Sequence, residues 1–540
     1  MTSSDLRRLE ALVREAKANN YSRRTIVKRA AALGIAIPAS GVLPGLAGVA
    51  SAQDTDASGR IVLAMTVEPD SLENWRAYST DGHPVLRNIQ EALLNRDPVT
   101  NELVGELATS WEQTDDVTWR FQLREGVTFH NGEAFNAEVA AFGINYTWSP
   151  ENNFQIYQYV GPDMTASAVD EYTLDIVTES PDPILPSRLY FSPLPSMRQV
   201  QEEPDTLPDN PIGTGPYIFR EWNRGQYILM EVNPDWWGHT ADDALGQATI
   251  QEAEFVFREE SAVRAAMVTT DEAQFARFLS PEDCATTPQC LTASSVETIF
   301  LRMDTMHVAM SDIRIRQAIG LAVDKQAIAD QLFGGGEPAS QLVGESATGY
   351  NDELEPYPYD LEQATALVEE AAADGVPVDA PINVVTRQGI YLRNDEFAEY
   401  VANQLNQIGL NASSEVIEIA QYNEQFDLNY SDVPDDRGWI ATNPHGNEIM
   451  DVSSTAQAYY SCDGGSSTYC NPELDEALDA AIPLTGEERE EALADVTRMY
   501  YEDYGSIPII HMPLNYGLVE NLVWQPRLDG FILLKEMQLS

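Results

Sequence analysis

Short stretches of alternating apolar and polar residues are spaced along the chain, and between them apolar residues recur at helical spacing. Ile61 to Met65 is a continuous apolar run broken by Glu68, Pro69 and Asp70, which predicts a buried strand. Trp119 to Phe129 alternates up to Asn131 and Gly132, the pattern of a hairpin strand before an Asn-Gly turn. A helix is predicted over Ala134 to Trp148, a strand over Tyr172 to Val177, and further alternating strands over Glu252 to Phe257 and Glu297 to Arg302. Tyr217, Phe219, Tyr227, Leu229 and Val232 flank Asn223, Arg224 and Gly225 and read as a hairpin. Immediately before it, Gly213, Thr214, Gly215 and Pro216 join two permissive residues to one with a locked φ, as suits a chain crossing between two bodies.

The second half changes period. Asp324 is placed to cap a helix running to Phe333, which Gly334 would end. Asp360 and Gln363 form a capping box for a helix to Ala373. From Asp395, the residues Phe397, Tyr400, Val401, Leu405 and Ile408 share one helical face, which stops at Gly409. A strand over Val416 to Ile419 follows. Asn471 opens another helix, Glu487 to Tyr504 forms one more, and Ser506 to Ile510 reads as a buried strand. Strand, helix and strand in this succession predict an α/β lobe.

Length and charge sharpen the picture. A chain of 540 residues is too long for one core and predicts about three domains. Its 86 acidic against 32 basic residues give a formal net charge of -54, and beyond the first fifty residues the lysines are Lys325 and Lys535. Such a surface repels nucleic acid and anionic lipid, so neither is an expected partner. Self-repulsion on this scale is screened at about 1 M salt, where the Debye length falls to about 3 Å. The acidity therefore reads as an adaptation to a saline medium. The melting temperature is expected to rise from dilute buffer to molar salt, and a flat profile would refute that reading.

Residues 1–52 predict a twin-arginine export signal: Arg23 and Arg24 precede an apolar, Ala- and Gly-rich run to Val49, and Ala50, Ser51 and Ala52 supply a small-x-small cleavage site. The chain past Gln53 is expected to be soluble and to work in the periplasm or at the cell surface. No cysteine precedes Cys284 to take a lipid, so a free protein and an uncleaved tether both remain open. Cys284 with Cys290, and Cys462 with Cys470, are expected to form two local disulfides, as the compartment favours. Zinc is the alternative, but neither pair has Cys-x-x-Cys spacing or a neighbouring histidine. Enzyme motifs are missing: no Gly-x-Ser-x-Gly, no His-Glu-x-x-His, no Gly-x-x-x-x-Gly-Lys, and six histidines far apart. A binding protein is the expectation, with a secreted hydrolase as the alternative from another class.

Four blocks carry a family resemblance. Asn210 to Gly238 matches an NPxGTGPY and NPxWWG pattern; Leu107 to Gly132 matches LA.SW followed by F.LR.GV.FH.G; Arg314 to Gly334 and Ser506 to Ile510 match two more. With the first strand from Arg60, they span the chain to Phe531. The chain thereby resembles the extracellular solute-binding proteins of family 5, the dipeptide and oligopeptide class serving ABC importers. The resemblance implies a periplasmic-binding-protein-like type II fold, α/β and three-lobed, with discontinuous domains. Lobe I would comprise 53–94, 213–304 and 509–540, lobe II 95–212, and lobe III 305–508. It also implies a monomer without cofactor or metal, holding a peptide between lobes for delivery to membrane permease subunits. An oligosaccharide or another small polar solute is the alternative ligand.

Site residues follow from the same resemblance. Trp75 and Tyr78 sit in the loop that borders the ligand cleft in relatives. Arg387, Tyr391 and Arg393, in the loop before the Asp395 helix, are candidates to face a carboxylate. Peptide-binding relatives carry an aspartate for the ligand's α-amino group after a Gly-Trp. Aligned on Gly438 and Trp439, that position holds Thr442; aligned on Phe426 and Asp427, it holds Asp436. Trp439, Asn443, His445, Asn447 and Glu448 crowd this stretch, which reads as a loop, and His511 lies where the chain recrosses between lobes. All are candidate ligand contacts.

Overall fold

The computed structural model describes residues 59–73, 75, 81–152, 154, 161, 163–418, 421–422 and 438–540. In chain order the strands are β1 (Arg60–Met65), β2 (Leu94–Arg96), β3 (Leu103–Gly105), β4 (Ala108–Asp115), β5 (Thr118–Leu123), β6 (Met164–Ala168), β7 (Thr173–Thr178), β8 (Tyr217–Asn223) and β9 (Tyr227–Val232). They continue with β10 (Glu252–Phe257), β11 (Phe275–Ala276), β12 (Gln289–Met303), β13 (Glu337–Pro338), β14 (Pro381–Arg387), β15 (Asn411–Ile417), β16 (Trp439–Gly446) and β17 (Ser506–Leu518).

One sheet runs through two of the hydrophobic cores, in the order β15-β14-β16-β12-β17-β11-β1-β10-β9-β8, with β13 added to β17. The β1 end packs Ile61, Leu63, Tyr217, Phe255 and Phe275 into one core, and the β14 end packs Val384, Phe397, Val401 and Ile440 into another. The joint is the pair β12 and β17, of 15 and 13 residues, aligned antiparallel from Gln289 opposite Leu518 to Arg302 opposite Ser506. Their register shifts between Ser294 and Thr298, a bulge of the kind that bends a strand. A third core lies under the separate sheet β4-β5-β7-β6, beneath the helix Ala137–Thr147. The outer edge of β6 is closed by Asn145, whose side-chain amide donates to Ala166 O at 2.9 Å and accepts from Ala166 N at 2.8 Å.

Most of the elements expected from the pattern are present. The Asn223–Gly225 turn joins β8 to β9, with Gly225 at φ 74°. Asn136, Asp324, Asp360 and Asn471 cap the helices that follow them. Departures have local causes. The strand expected over Val416 to Ile419 instead runs Asn411–Ile417, because its first residues are polar and exposed at the sheet edge and show no alternation. The helix after Asp324 loosens into a π turn over Ala329–Phe333 before Gly334 ends it at φ 66°. The hairpin strand expected up to Phe129 ends at Leu123; Asn131 and Gly132 turn a single bridge between Thr128 and Ala134. Both cysteine pairs are disulfides, Cys284 with Cys290 and Cys462 with Cys470. Among the described residues no helix is long and apolar enough to cross a membrane.

The chain returns from the small sheet to β8 through the Gly213–Pro216 segment, which is tightly held. His130 N donates to Gly213 O at 2.8 Å, and the His130 ring bonds Gly215 O at 3.0 Å. Burial lowers this imidazole to about 4, so it is neutral and structural. Glu91 accepts from Thr214, Trp236 and Trp237 at 2.8–2.9 Å. Burial, with Glu106 adding, pushes Glu91 up to about 7. Glu106 is equally buried, yet Lys535 and Arg87 outweigh the burial and hold it down to about 2. Two neighbouring carboxylates are thus set apart at the root of the crossing, one titrating around neutral pH and one ionised.

Candidate functional site

Strands β14, β15 and β16 lie parallel, with β14 between its two partners. In such sheets the crevice beyond the carboxyl ends of the strands, where connections leave to opposite sides, is where ligands bind. Here that place is marked by Arg387, the last residue of β14, and Ile417, the last of β15.

Four of the sequence candidates, Arg387, Tyr391, Thr442 and Asn443, meet there, and a fifth, Trp439, starts β16 opposite Asn383 and joins them through Arg302. Trp439 and Thr442, on β16, are buried, as is Asn443. Tyr391 reaches in from the loop after β14, 8% exposed, with its phenol beside the hydroxyls of Thr442 and Thr386 and near the Arg387 charge. Tyr422 ties the group together: its hydroxyl donates to Asn443 Oδ1 at 2.6 Å and accepts from Arg302 Nη2 at 3.2 Å, and Arg387 lies 4.7 Å over its ring. Arg302 also lies 4.9 Å over Trp439 and donates to Ser466 O at 3.1 Å. Two guanidiniums, three aromatic rings and the hydroxyls of Thr386 and Thr442 form one group beside β14 and β16. Such a set holds a flat or anionic group by stacking and by charge-assisted hydrogen bonds.

The remaining candidates lie elsewhere. Trp75 is 1% exposed in the third core, its indole donating to Glu73 at 3.0 Å and meeting Tyr146 edge-on. Arg393 starts the helix Asn394–Gln407 with φ 58°, pairs with Glu282 and donates to Leu332 O at 3.0 Å. His445 and Asn447 both bond Thr455 Oγ1, at 2.7 Å, and brace the turn after β16. His511 bonds Thr298 across β12 and β17 at 2.9 Å. Burial lowers His445 and His511 to about 4, which makes both neutral bracing groups. Tyr78 and Asp436 lie outside the described residues.

A second feature went unnoticed in the sequence. A small, partly open cavity of about 20 Å³, room for roughly one water, is lined by His83, Arg277, Ser295, Glu297, Glu448 and Asp529 among others. Burial drives His83 well below its ordinary range, with Arg87 helping, and raises Glu297 against the pull of Arg277. Glu448 is pushed up to about 7 by burial. Its carboxyl therefore keeps its proton through the mildly acidic range and titrates around neutral pH in the folded protein. A signal existed for Arg302: strand alternation puts it on the same face as buried Thr298 and Phe300, where a charge is unexpected. Nothing local flags the cavity, because its residues come from six separate segments.

The raised Glu448 has a measurable consequence. Its ordinary value of 4.5 applies to the unfolded chain, so between about pH 4.5 and 7 the folded state holds the extra proton. Its contribution is complete below pH 4.5 and is lost as the pH rises through 7. Glu448→Gln should match the parent near pH 5 and exceed it by about 2 kcal/mol at pH 8, after allowance for partial solvent screening. An equal offset at both pH values in urea melts would contradict it. Among the described residues no cluster of three or more His, Cys, Asp or Glu side chains is arranged to hold a metal.

Comparison with known proteins agrees with this architecture. The family model for bacterial extracellular solute-binding proteins, family 5 Middle, matches residues 102–461. Di/tripeptide-binding protein 2 of Pseudomonas aeruginosa is 24% identical over 484 residues, covering 82% of this chain and 87% of that one. Heme-binding protein A of Haemophilus influenzae is 26% identical over 470 residues, covering 80% and 82%. The periplasmic binding protein DppA of Helicobacter pylori, solved with the peptide STSA, superposes with a TM-score of 0.76 at 20% identity, over 90% of this chain and 99% of that one. The fold is accordingly the periplasmic-binding-protein-like type II fold of mixed α/β architecture, and these relatives are binding proteins. With its fold, its hinge strands and a match across most of its length, the chain belongs to the bacterial extracellular solute-binding proteins, family 5.

Proposed function

We propose that the protein is an exported, non-enzymatic receptor that captures a peptide in the cleft between its lobes and delivers it to the permease subunits of an ABC importer. The observation that carries this reading is the gathering of Arg387, Tyr391, Tyr422 and Thr442 around the carboxyl end of β14, with Trp439 packed beside Tyr422, in a chain of this family. Relatives named for dipeptides and tripeptides, and a neighbour solved with a peptide, support peptide as the solute. The lobes divide as 53–94 with 213–304 and 509–540, then 95–212, then 305–508, and β12 with β17 forms the hinge. The working protein is a monomer, exported by the twin-arginine route into a saline medium, and its ligand contacts come from the strand-end cluster.

Mass spectrometry of whatever copurifies with residues 53–540, handled in molar salt, tests the reading. Short peptides are the expected result. A glycan would move the ligand to the alternative class, and turnover of a peptide or glycoside panel would overturn the binding role.

A further inference from the structure

The turn after β16 is where the β14 side of the large sheet meets the rest of the molecule. Asn447 holds the turn in shape, its amide donating to Asp451 O at 3.0 Å and its Oδ1 accepting from Asp451 N at 3.1 Å. The hairpin of β2 and β3, beside the third core, grips the same turn from outside: Arg96 donates to Ile449 O at 2.9 Å, and Asn101 donates to the Met450 sulfur. Glu448, in the middle of this contact, lines the one-water cavity together with His83, Arg277 and Asp529. No described side chain donates to its carboxyl; the donor beside it is its own backbone N–H. Facing it are two groups of the same sign, Glu297 on β12 and Asp529 near the C-terminus. The cations of the surrounding elements are committed elsewhere: Arg277 to Asp81 at 3.1 Å, Arg527 to Asp529 and Glu536, Arg489 to Asp451 at 2.8 Å, and Arg96 to the carbonyls of Asn101 and Ile449. His83 is packed between the rings of Phe191 and Phe531, at 4.9 and 4.5 Å, and is neutral.

A carboxylate that is desolvated, faces two like charges and has no cation of its own is unstable, and a proton relieves it. Moving the two sides apart would open the cavity to water, where the same carboxylate is hydrated and ionises freely. We infer that Glu448 is a proton-operated latch on lobe closure: with its proton the β14 side can close on the rest of the molecule, and without it the two are driven apart. The inference rests on the reading of the protein as a receptor whose lobes close on a solute, and it adds a control of that closure. Glu448 has its ordinary value of 4.5 when hydrated and about 7 when enclosed, so closing takes up a proton between those limits. The preference for the closed form is therefore complete below pH 4.5 and is lost as the pH rises through 7. Burial raises Glu297 in the same direction. His83 does not oppose it, because Phe191 and Phe531 both belong to the third core and keep the imidazole enclosed in either form. The solute is accordingly held in a mildly acidic medium and released in an alkaline one.

The test measures closure by fluorescence energy transfer between dyes on Val263→Cys and Val308→Cys, exposed positions beside the β1 and β14 cores. Residues 53–540 are used without solute, in molar salt, at pH 5 and pH 8. In the parent, the ratio of closed to open molecules should fall by about tenfold or more from pH 5 to pH 8. In Glu448→Gln, which keeps the uncharged form, the ratio should change by less than about threefold and stay near the parent's value at pH 5. Glu297→Gln, which removes one facing charge, should narrow the parent's response without removing it. A ratio independent of pH in the parent overturns the inference, and so does an equal fall in the parent and in Glu448→Gln. Adding a mixed tripeptide library separates the latch from the peptide reading. Closure on addition of peptide with no effect of pH keeps the peptide reading and removes the latch. A response to pH that depends on Glu448, with none to peptide, keeps the latch and removes peptide as the solute.

Discussion

Arg527→Met should lower the stability of the folded protein by about 3–5 kcal/mol, the range for removing one partner of a buried ion pair. Arg527 is 1% exposed and serves two carboxylates: Nη2 reaches Asp529 at 2.7 Å, and Nη1 reaches Glu536 at 2.8 Å. The same guanidinium donates to Arg96 O at 3.1 Å, and Asp529 accepts from Tyr190 at 2.6 Å, so the pair also ties the C-terminal segment to the third core. Burial by itself would raise Asp529; Arg527 outweighs it and holds the carboxyl below its ordinary value. Without the arginine, two buried carboxylates lose their counter-ion, and Glu536 already has one oxygen with no partner. Adding Asp529→Asn to the single variant should recover part of the loss. Urea unfolding in molar salt measures both, and a loss under 1 kcal/mol for Arg527→Met would show that the network is not needed.

Gly213→Ala should cost about 3 kcal/mol or more, at the upper end for overpacking. A Cβ at this position would stand 2.0 Å from Ile89 O and 2.7 Å from Gln90 Cα. Both are backbone atoms of a segment pinned by hydrogen bonds between Gly215 N and Ile89 O and between Tyr217 N and Asn88 O, so neither can swing aside. Gly225 supplies the control. Its φ is 74°, but a Cβ there meets nothing, so Gly225→Ala should cost only about 1 kcal/mol through backbone conformation. Similar losses for the two variants would mean that the crossing segment yields easily and that the close approach has no structural weight.

Local chemistry made much of the fold legible. Caps at Asp324, Asp360 and Asn471 and the turn at Gly225 each use residues within a few positions of one another, and the chain keeps them. Edge strand β15 was misplaced because Asn411, Ser413, Ser414 and Glu415 are polar and exposed, and only pairing with β14 makes them a strand. The site divided in the same way. Arg387 and Tyr391 were readable because they lie between a strand and a helix, and Trp439, Thr442 and Asn443 from their side-chain chemistry, although the stretch read as a loop forms β16; Arg302 and Tyr422 complete the cluster from distant segments. Trp75 shows the opposite limit: an aromatic in a loop carries no sign of which core will take it, and here it lies beneath Tyr146.

The order of strands in the large sheet bears on how the protein is made. Strand β17 is among the last to leave the ribosome, yet it lies between β12 and β11, near the middle of the sheet. Until it emerges, β12 and β11 each offer an unpaired edge, and the two halves of the sheet share no strand pairing and are joined by the chain between β11 and β12. Nascent chain that stops short of residue 506 therefore carries two sticky borders and cannot close its sheet. Pairing over such sequence separation makes for slow completion and a window in which aggregation competes, so the terminal insertion of one long strand sets the pace at which this receptor becomes a finished molecule.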